Sequence, residues 1–336
     1  MRSPIIPARR EEGAALLTVL LLVAVMAVIT AIALERLTIA TRMAQNGVGA
    51  DQGRAFLLSA ETLAGLRLSD LVTARPGRTT LAGGWLGKPQ AIPVSGGMVT
   101  ARVRDAGNCF NVNSLVEGNS AGSYAARASG IAQFAALLRL LGTDPRAADQ
   151  IATSGADWID SDQLPAGGGA EDAYYLQQPV PYRTAGDLLA DPSELRTVNG
   201  MTAAIYDRVR PWLCALPVTD LSPINVNTLL PDQAILLAML ADGRLGPDIA
   251  RQVLAQRPAD GYGSLVDFWG QPALASLGLP ADATGQTKLT SRWFEVDLRA
   301  DLGGAPNAGA DVSETALFDA EDAPARLIRR RWGDEG

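Results

Sequence analysis

The stretch from Ala14 to Leu34 is apolar at every position except Thr18 and Thr30. As a helix rising 1.5 Å per residue it spans roughly 30 Å, the hydrocarbon thickness of a bilayer. A secretory signal peptide would have a shorter apolar core followed by a small-residue cleavage site. Here the run is too long and no such site follows, so it reads as a retained anchor. Arg2, Arg9 and Arg10 precede it, with Glu11 and Glu12 diluting their positive-inside signal. Helical periodicity continues beyond it through Leu37, Ala40, Met43, Phe56, Leu57, Ala60, Ala64 and Leu66, and proline is absent from Ala8 through Arg75. Gly47, Gly49 and Gly53 are expected to soften the middle of this rod, each at up to about 1 kcal/mol against alanine. A helix apolar all round in its first half and amphipathic in its second predicts an anchor whose far end packs on a soluble body.

Length and charge bound that body. The chain has 336 residues, room for two ordinary domains or one with a large insertion, and a net charge of −7, which argues against a nucleic-acid-holding role. It contains no histidine, which removes His-based triads, most zinc sites and the usual proton shuttle. Its two cysteines, Cys109 and Cys214, are either two buried thiols or one bridge; an oxidising compartment favours the bridge. Closing so long a loop contributes about 4 to 5 kcal/mol in the chain-entropy model.

Gly, Pro and alternating apolar residues from Arg75 to Val103 predict short strands, and "RWFEVDLRADLG" at 292–303 predicts another. Strands near both ends with helical text between them imply a sheet interrupted by an insertion. Within that text "CFNVNSL" (109–115) is echoed by "PINVNTL" (223–229), each followed by a helical stretch, at 125–141 and 231–240. Ser114 and Thr228 suit capping or turn chemistry, which makes the asparagines structural rather than ligand-binding. Two further segments, 192–213 and 231–257, have a helix–turn–helix pattern punctuated by Asn199-Gly200 and by Gly243 and Gly246. Such units can hold a DNA backbone, but Asp191, Glu194, Asp242 and Asp248 surround these turns, so protein packing is expected instead.

The most chemically suggestive stretch is "DWIDSDQLPAGGGAEDAYYLQQPVPYR" at 157–183, where Asp157, Asp160, Asp162, Glu171 and Asp172 crowd a Gly- and Pro-rich loop. Calcium takes six to eight oxygens at flexible geometry, which such a loop supplies, though the spacing is not that of an EF-hand. A solvated acidic loop fits the same residues equally well. Paired carboxylates for acid–base chemistry are the weakest of the three readings, because nothing beside them looks like a substrate cleft. The Arg-rich C-terminus, "RLIRRRWGDEG", reads as a solvated tail.

The charged leader, the glycine, the apolar helix and its amphipathic extension resemble a type IV pilin-like protein. The D-W-I-D-x-D…G-G-A-E-D-x-Y-Y…P-Y block, "LADPSELRTVNGM" and the two N-V-N elements more specifically resemble the type II secretion system minor pseudopilin K family, from Gly13 to roughly Leu302. The resemblance implies an α+β, pilin-like fold: a long N-terminal helix, transmembrane in its first half, packed on a small antiparallel sheet. A large, mostly helical insertion of SAM-like or helix-hairpin-helix-like units completes it. It divides the chain into a leader (1–13), the helix (14–72), a first part of the core (73–113), an inserted helical domain (114–220), a second SAM-like segment (221–285), and C-terminal core strands with a tail (286–336).

The resemblance further implies a non-enzymatic subunit that initiates pseudopilus assembly at its tip and supports export across the outer membrane. Prepilin peptidase would cut between Gly13 and Ala14 and methylate the new N-terminus, although Glu11-Glu12 departs from the family's usually basic leader. Calcium would bind within the insertion at residues among Asp157, Asp160, Asp162, Glu171 and Asp172, with Asp187 and Asp191 as further ligands to consider. Implied partners are minor pseudopilins I and J, with H or the major pseudopilin G below them, at the inner membrane with a periplasmic body. Thr18 would be residue five of the mature chain, where most pilin-like subunits carry a glutamate that meets a neighbour's N-terminal amine. A tip subunit has no such amine to neutralise. The rival readings are a minor pilin of a type IV pilus and a membrane-anchored helix-hairpin-helix DNA-binding protein.

Overall fold

A computed structural model describes residues 11–95, 97–279, 281–301 and 312–333. Residues 1–10 of the leader and 334–336 of the tail lie outside the described residues. Helix α1 (Glu11–Thr73) is one uninterrupted rod. The helix runs unbroken through Gly47, Gly49 and Gly53, as a continuous rod requires. Among the described residues it is the one helix long and apolar enough to cross a membrane, and its most apolar window is wholly unburied. From Gly53 onward one face turns inward: Leu57, Ala60, Glu61, Ala64 and Leu68 are buried at three- and four-residue intervals.

That face covers a five-stranded antiparallel sheet. Its strands are β1 (Gln90–Val94), β2 (Gly97–Asp105), β9 (Trp293–Asp301), β10 (Val312–Asp319) and β11 (Arg326–Trp332), adjacent in that order. The period-two pattern sends Val99, Ala101, Phe294, Val296, Leu298, Ala316 and Phe318 toward α1, in one cluster with Leu57, Ala60 and Leu68. The opposite face is charged, with Arg104 paired to Glu295 at 2.6 Å and to Asp297 at 3.1 Å.

Strand β11 corrects the reading of the C-terminus as a solvated tail. Its arginines are structural. Arg330 grips Glu61 of α1 at 2.7 Å through two nitrogens and reaches Glu314 of β10 at 3.2 Å. Arg329 donates to the carbonyls of Ala190 and Ala215, and Arg331 pairs with Asp191, so the strand also holds the insertion. Arginine's long stem and five donors let a strand this polar be a binding edge.

The chain leaves the sheet after Asp105 and returns at Trp293, so residues 106–292 are inserted between two neighbouring strands. The neck is closed by hydrogen bonds. The Asp105 carboxylate is buried and accepts from the hydroxyls of Ser291 and Thr228 and, at 3.0 Å, from the Gly107 amide, while the Ala106 amide donates to the Trp293 carbonyl at 2.9 Å.

The insertion contains two successive units. The first begins with β3 (Phe110–Asn111), followed by a small hairpin of β4 (Val116–Glu117) and β5 (Ala125–Ala126). Helices α2 (Ala128–Leu140) and α3 (Pro145–Ile159) come next, then α4 (Asp172–Tyr175) and α5 (Ala203–Val209), and the unit closes with β6 (Leu213–Cys214) parallel to β3. The second begins with β7 (Ile224–Asn225), carries the hairpin of α6 (Ala234–Met239) and α7 (Pro247–Ala255), and closes with β8 (Thr287–Lys288) parallel to β7. One core runs through both, from Phe110, stacked on Phe134 at 4.9 Å, to Ala283. A reciprocal amide pair, Gln133 with Gln286 at 2.8 and 3.2 Å, ties the units together inside it. Gly130 lets α2 press on the first motif: a Cβ there would lie 2.0 Å from the Ser114 carbonyl oxygen.

Candidate metal centre

Helix α3 starts where Asp144 caps it, accepting from the amides of Arg146 at 3.0 Å and Ala147 at 3.2 Å, with Pro145 in the first turn. It ends on the acidic block. Asp157 lies in its last turn, fully buried, and Asp160 is its C-cap. The chain loops outward and returns at Glu171, the residue that precedes α4. Asp157, Asp160 and Glu171 are all buried, and each offers a carboxylate oxygen within 4.8 Å of the other two.

The local chemistry leaves this cluster short of positive charge. One Asp157 oxygen accepts from the Ala166 amide at 3.0 Å. The other Asp157 oxygen, one oxygen of Asp160 and both oxygens of Glu171 are buried without any protein donor. Burial, then mutual repulsion, pushes Asp160 up to about 7 and Glu171 up to about 8; burial pushes Asp157 up to about 6 against the pull of its amide donors. The site also sits at the C-terminal, negative end of α3. Gly169 completes the cradle, since a Cβ on it would lie 1.8 Å from Asp157 Oδ2. An all-oxygen set of buried, unpartnered carboxylates suits a hard divalent cation such as calcium.

The structure brings three of the five predicted carboxylates together. Asp162 is exposed and accepts from the Leu164 amide at 2.7 Å. Asp172 turns away to Arg183 at 2.6 Å and to the amide and hydroxyl of Thr184 at 2.9 and 3.2 Å, contacts that hold its carboxyl below the usual range despite desolvation. Asp187 accepts from the Leu188 amide, and Asp191 caps the 3-10 turn at Pro192–Thr197 and pairs with Arg331. Behind the cluster Tyr175 packs edge-on against Trp158 at 5.1 Å and beside Tyr182 at 5.1 Å. Residue-type reasoning passed over Gly169; the Gly-Gly-Gly run was its visible signal.

The other predicted residues are placed as follows. Cys109 and Cys214 are joined, with Cα atoms 5.8 Å apart, beside the β3–β6 ladder. Gly13 and Ala14 lie in the first turn of α1, and the Thr18 hydroxyl donates to the Ala15 carbonyl at 2.8 Å. The asparagines of both motifs are consumed internally. Asn111 Oδ1 accepts from the amides of Asn113 and Leu216, and Asn225 Oδ1 from the amide of Asn227, so neither motif presents a free amide to a ligand.

Two family models, each described as type II secretion system protein K, match residues 108–218 and 224–290, the two units of the insertion. Type II secretion system protein K of Pectobacterium carotovorum subsp. carotovorum is 35% identical over 325 residues, covering 96% of this chain and 97% of that protein. The chain belongs to the type II secretion system protein K family. The family member from Klebsiella pneumoniae is 38% identical over 96% of the chain and 97% of its own length. The crystal structure of the GspK-GspI-GspJ complex from enterotoxigenic Escherichia coli contains a chain that superposes with a TM-score of 0.71 at 30% identity, over 85% of this chain and 97% of that one. This chain is therefore a minor pseudopilin of the type II secretion system, a structural component with the expected pilin-like α+β fold. The likenesses do not favour a type IV pilus or DNA-binding role.

Proposed function

We propose that this minor pseudopilin caps the tip of the secretion pseudopilus, initiates its assembly with minor pseudopilins I and J, and carries calcium in its insertion. Minor pseudopilin H or the major pseudopilin G continues the filament below. Prepilin peptidase cuts between Gly13 and Ala14, the new N-terminus is methylated, and α1 anchors the chain in the inner membrane with its body in the periplasm. The protein acts as a structural subunit rather than as an enzyme.

The observation that carries the tip assignment is the insertion of residues 106–292 between adjacent sheet strands. Such a volume fits badly among close-packed shaft subunits. Thr18 supports it, because its hydroxyl is satisfied on its own helix and needs no amine from a subunit above. Calcium is supported by the four buried, donorless carboxylate oxygens, and Asp157, Asp160 and Glu171 would hold it. When bound, the cation would supply the charge compensation that keeps the loop folded; it has no reacting group to act on.

Site-specific cross-linking from residues of 115–220 tests the position: adducts should form with partners at one end of the filament, and adducts between shaft subunits would exclude a tip. Calorimetric titration of the full chain in detergent tests the metal. Calcium uptake is expected, and no uptake together with a chelator-independent melting temperature would remove the site.

A further inference from the structure

The two units of the insertion share one plan, and the difference between them exposes a residue that composition and charge do not flag. In each, the second asparagine of the N-V-N motif turns both ends of its amide onto the backbone of a distant residue, and in the first unit it reaches a second residue as well. Asn113 Oδ1 accepts from the Leu189 amide at 2.8 Å, and its Nδ2 donates to the carbonyls of Leu189 at 3.0 Å and Leu216 at 2.8 Å. Asn227 Oδ1 accepts from the Tyr262 amide at 2.6 Å, and its Nδ2 donates to the Tyr262 carbonyl at 3.1 Å. Both side chains are fully buried and replace a neighbouring strand for the residue they hold.

What lies between hairpin and clamp differs. In the second unit the chain passes from Ala255, the end of α7, to Tyr262 by a short turn. In the first it passes from Ile159, the end of α3, to Leu189 through the whole carboxylate loop. The return of that loop runs alongside the site. The amides of Ala185 and Gly186 both donate to the Trp158 carbonyl at 3.1 Å, and Thr184 holds Asp172, the neighbour of Glu171. A fixed Leu189 therefore seats residues 184–186 against the turn that carries Asp157 and Asp160 and against the start of α4.

We propose that Asn113 is a positioning residue for the carboxylate centre: by clamping Leu189 it sets the spacing of Asp157, Asp160 and Glu171, while Asn227 is the same clamp in a unit with no carboxylate cluster among the described residues. This rests on the reading of the cluster as a calcium site. The metal and the clamp are thermodynamically linked, so each should tighten the other.

The test compares Asn113→Ala with Asn227→Ala in the full chain in detergent, titrated with calcium alone. Both variants should melt earlier in chelator, because each strands buried backbone groups. Only Asn113→Ala should weaken calcium binding, by roughly 10- to 100-fold, the usual effect of removing a group that orients a metal ligand. Equal calcium affinity in the two variants would overturn the proposal and leave the calcium site standing. A wild-type chain that takes up no calcium would remove both together. Hydrogen exchange on the wild type covers the case in which Asn113→Ala does not fold. Chelation should speed exchange at Ala185, Gly186 and Leu189 and leave Tyr262 unchanged, whereas protection at Leu189 indifferent to calcium would overturn the clamp's role.

Discussion

Two clusters of buried carboxylates among the described residues are balanced in different ways. Where α1 meets the sheet, Glu61 and Glu314 share Arg330, which the protein supplies from β11. Where α3 ends, Asp157, Asp160 and Glu171 converge with no arginine or lysine paired to any of them among the described residues. The first joint draws its cation from the chain, with one Glu314 oxygen left buried without a donor. The second has no such partner among the described residues, which is what the proposed calcium would supply, and the contrast teaches that buried charge must be followed to its partner before a site is assigned.

Replacing Arg330 by leucine should have the largest effect. It strands two buried carboxylates and should cost roughly 3 kcal/mol, the low end for breaking a buried pair because the arginine is itself partly exposed. Thermal denaturation in calcium reads the loss, and an unchanged midpoint would make the joint a surface ion pair. Withdrawing calcium comes next. At the proposed site an ion at a hundredfold excess over Kd would contribute about 2.7 kcal/mol, and chelation should lower the melting temperature of the wild type without disturbing the α1–sheet joint.

The pH dependence of that contribution has a definite sign. The three carboxyls, pushed up to about 6, 7 and 8, keep protons in the folded metal-free chain at pH values where the unfolded chain has released them. Metal-free stability therefore falls as pH rises from about 4 toward 8, and calcium bound at the proposed site would displace those protons and stabilise more over the same window. A calcium affinity flat between pH 6 and pH 8 would contradict the raised values.

Gly169→Ala should act only on the second cluster, since its new methyl group meets Asp157 Oδ2. A fall in calcium affinity is the expected result, together with a lower chelated melting temperature, because overpacking a buried site costs about 1 to 3 kcal/mol. Glu314→Gln is the mildest change and the sharpest test of the first cluster. Burial and the neighbouring Glu61 push Glu314 up to about 8, so its stabilising contribution is full below the ordinary glutamate range and declines as pH climbs to that value. An amide mimics the protonated acid. The variant should match the wild type near pH 5 and lose less stability than it by pH 8, and parallel stability curves would contradict a protonated Glu314.

The anchor was legible because length and apolarity are one-dimensional properties, as were β2 and β9 from alternation and α2 and α7 from helical spacing. The N-V-N echo was legible as an echo, and its structural role was expected, but its targets, Leu189 and Tyr262, were not. Strand β11 was misread because four arginines in "RLIRRRW" look solvated, whereas Arg329, Arg330 and Arg331 find carbonyls and carboxylates from distant parts of the chain.

By itself, then, the sequence determined that this chain has a membrane-length helix, a sheet split by an insertion, and a loop dense in carboxylates. Tertiary structure decided which carboxylates share a space. Asp157, Asp160 and Glu171 meet while Asp162 and Asp172 turn to other partners, because oxygen-to-oxygen distances depend on the path of the loop between them. That path is set by contacts such as Asn113 with Leu189, which are far apart in the chain and which no local pattern encodes.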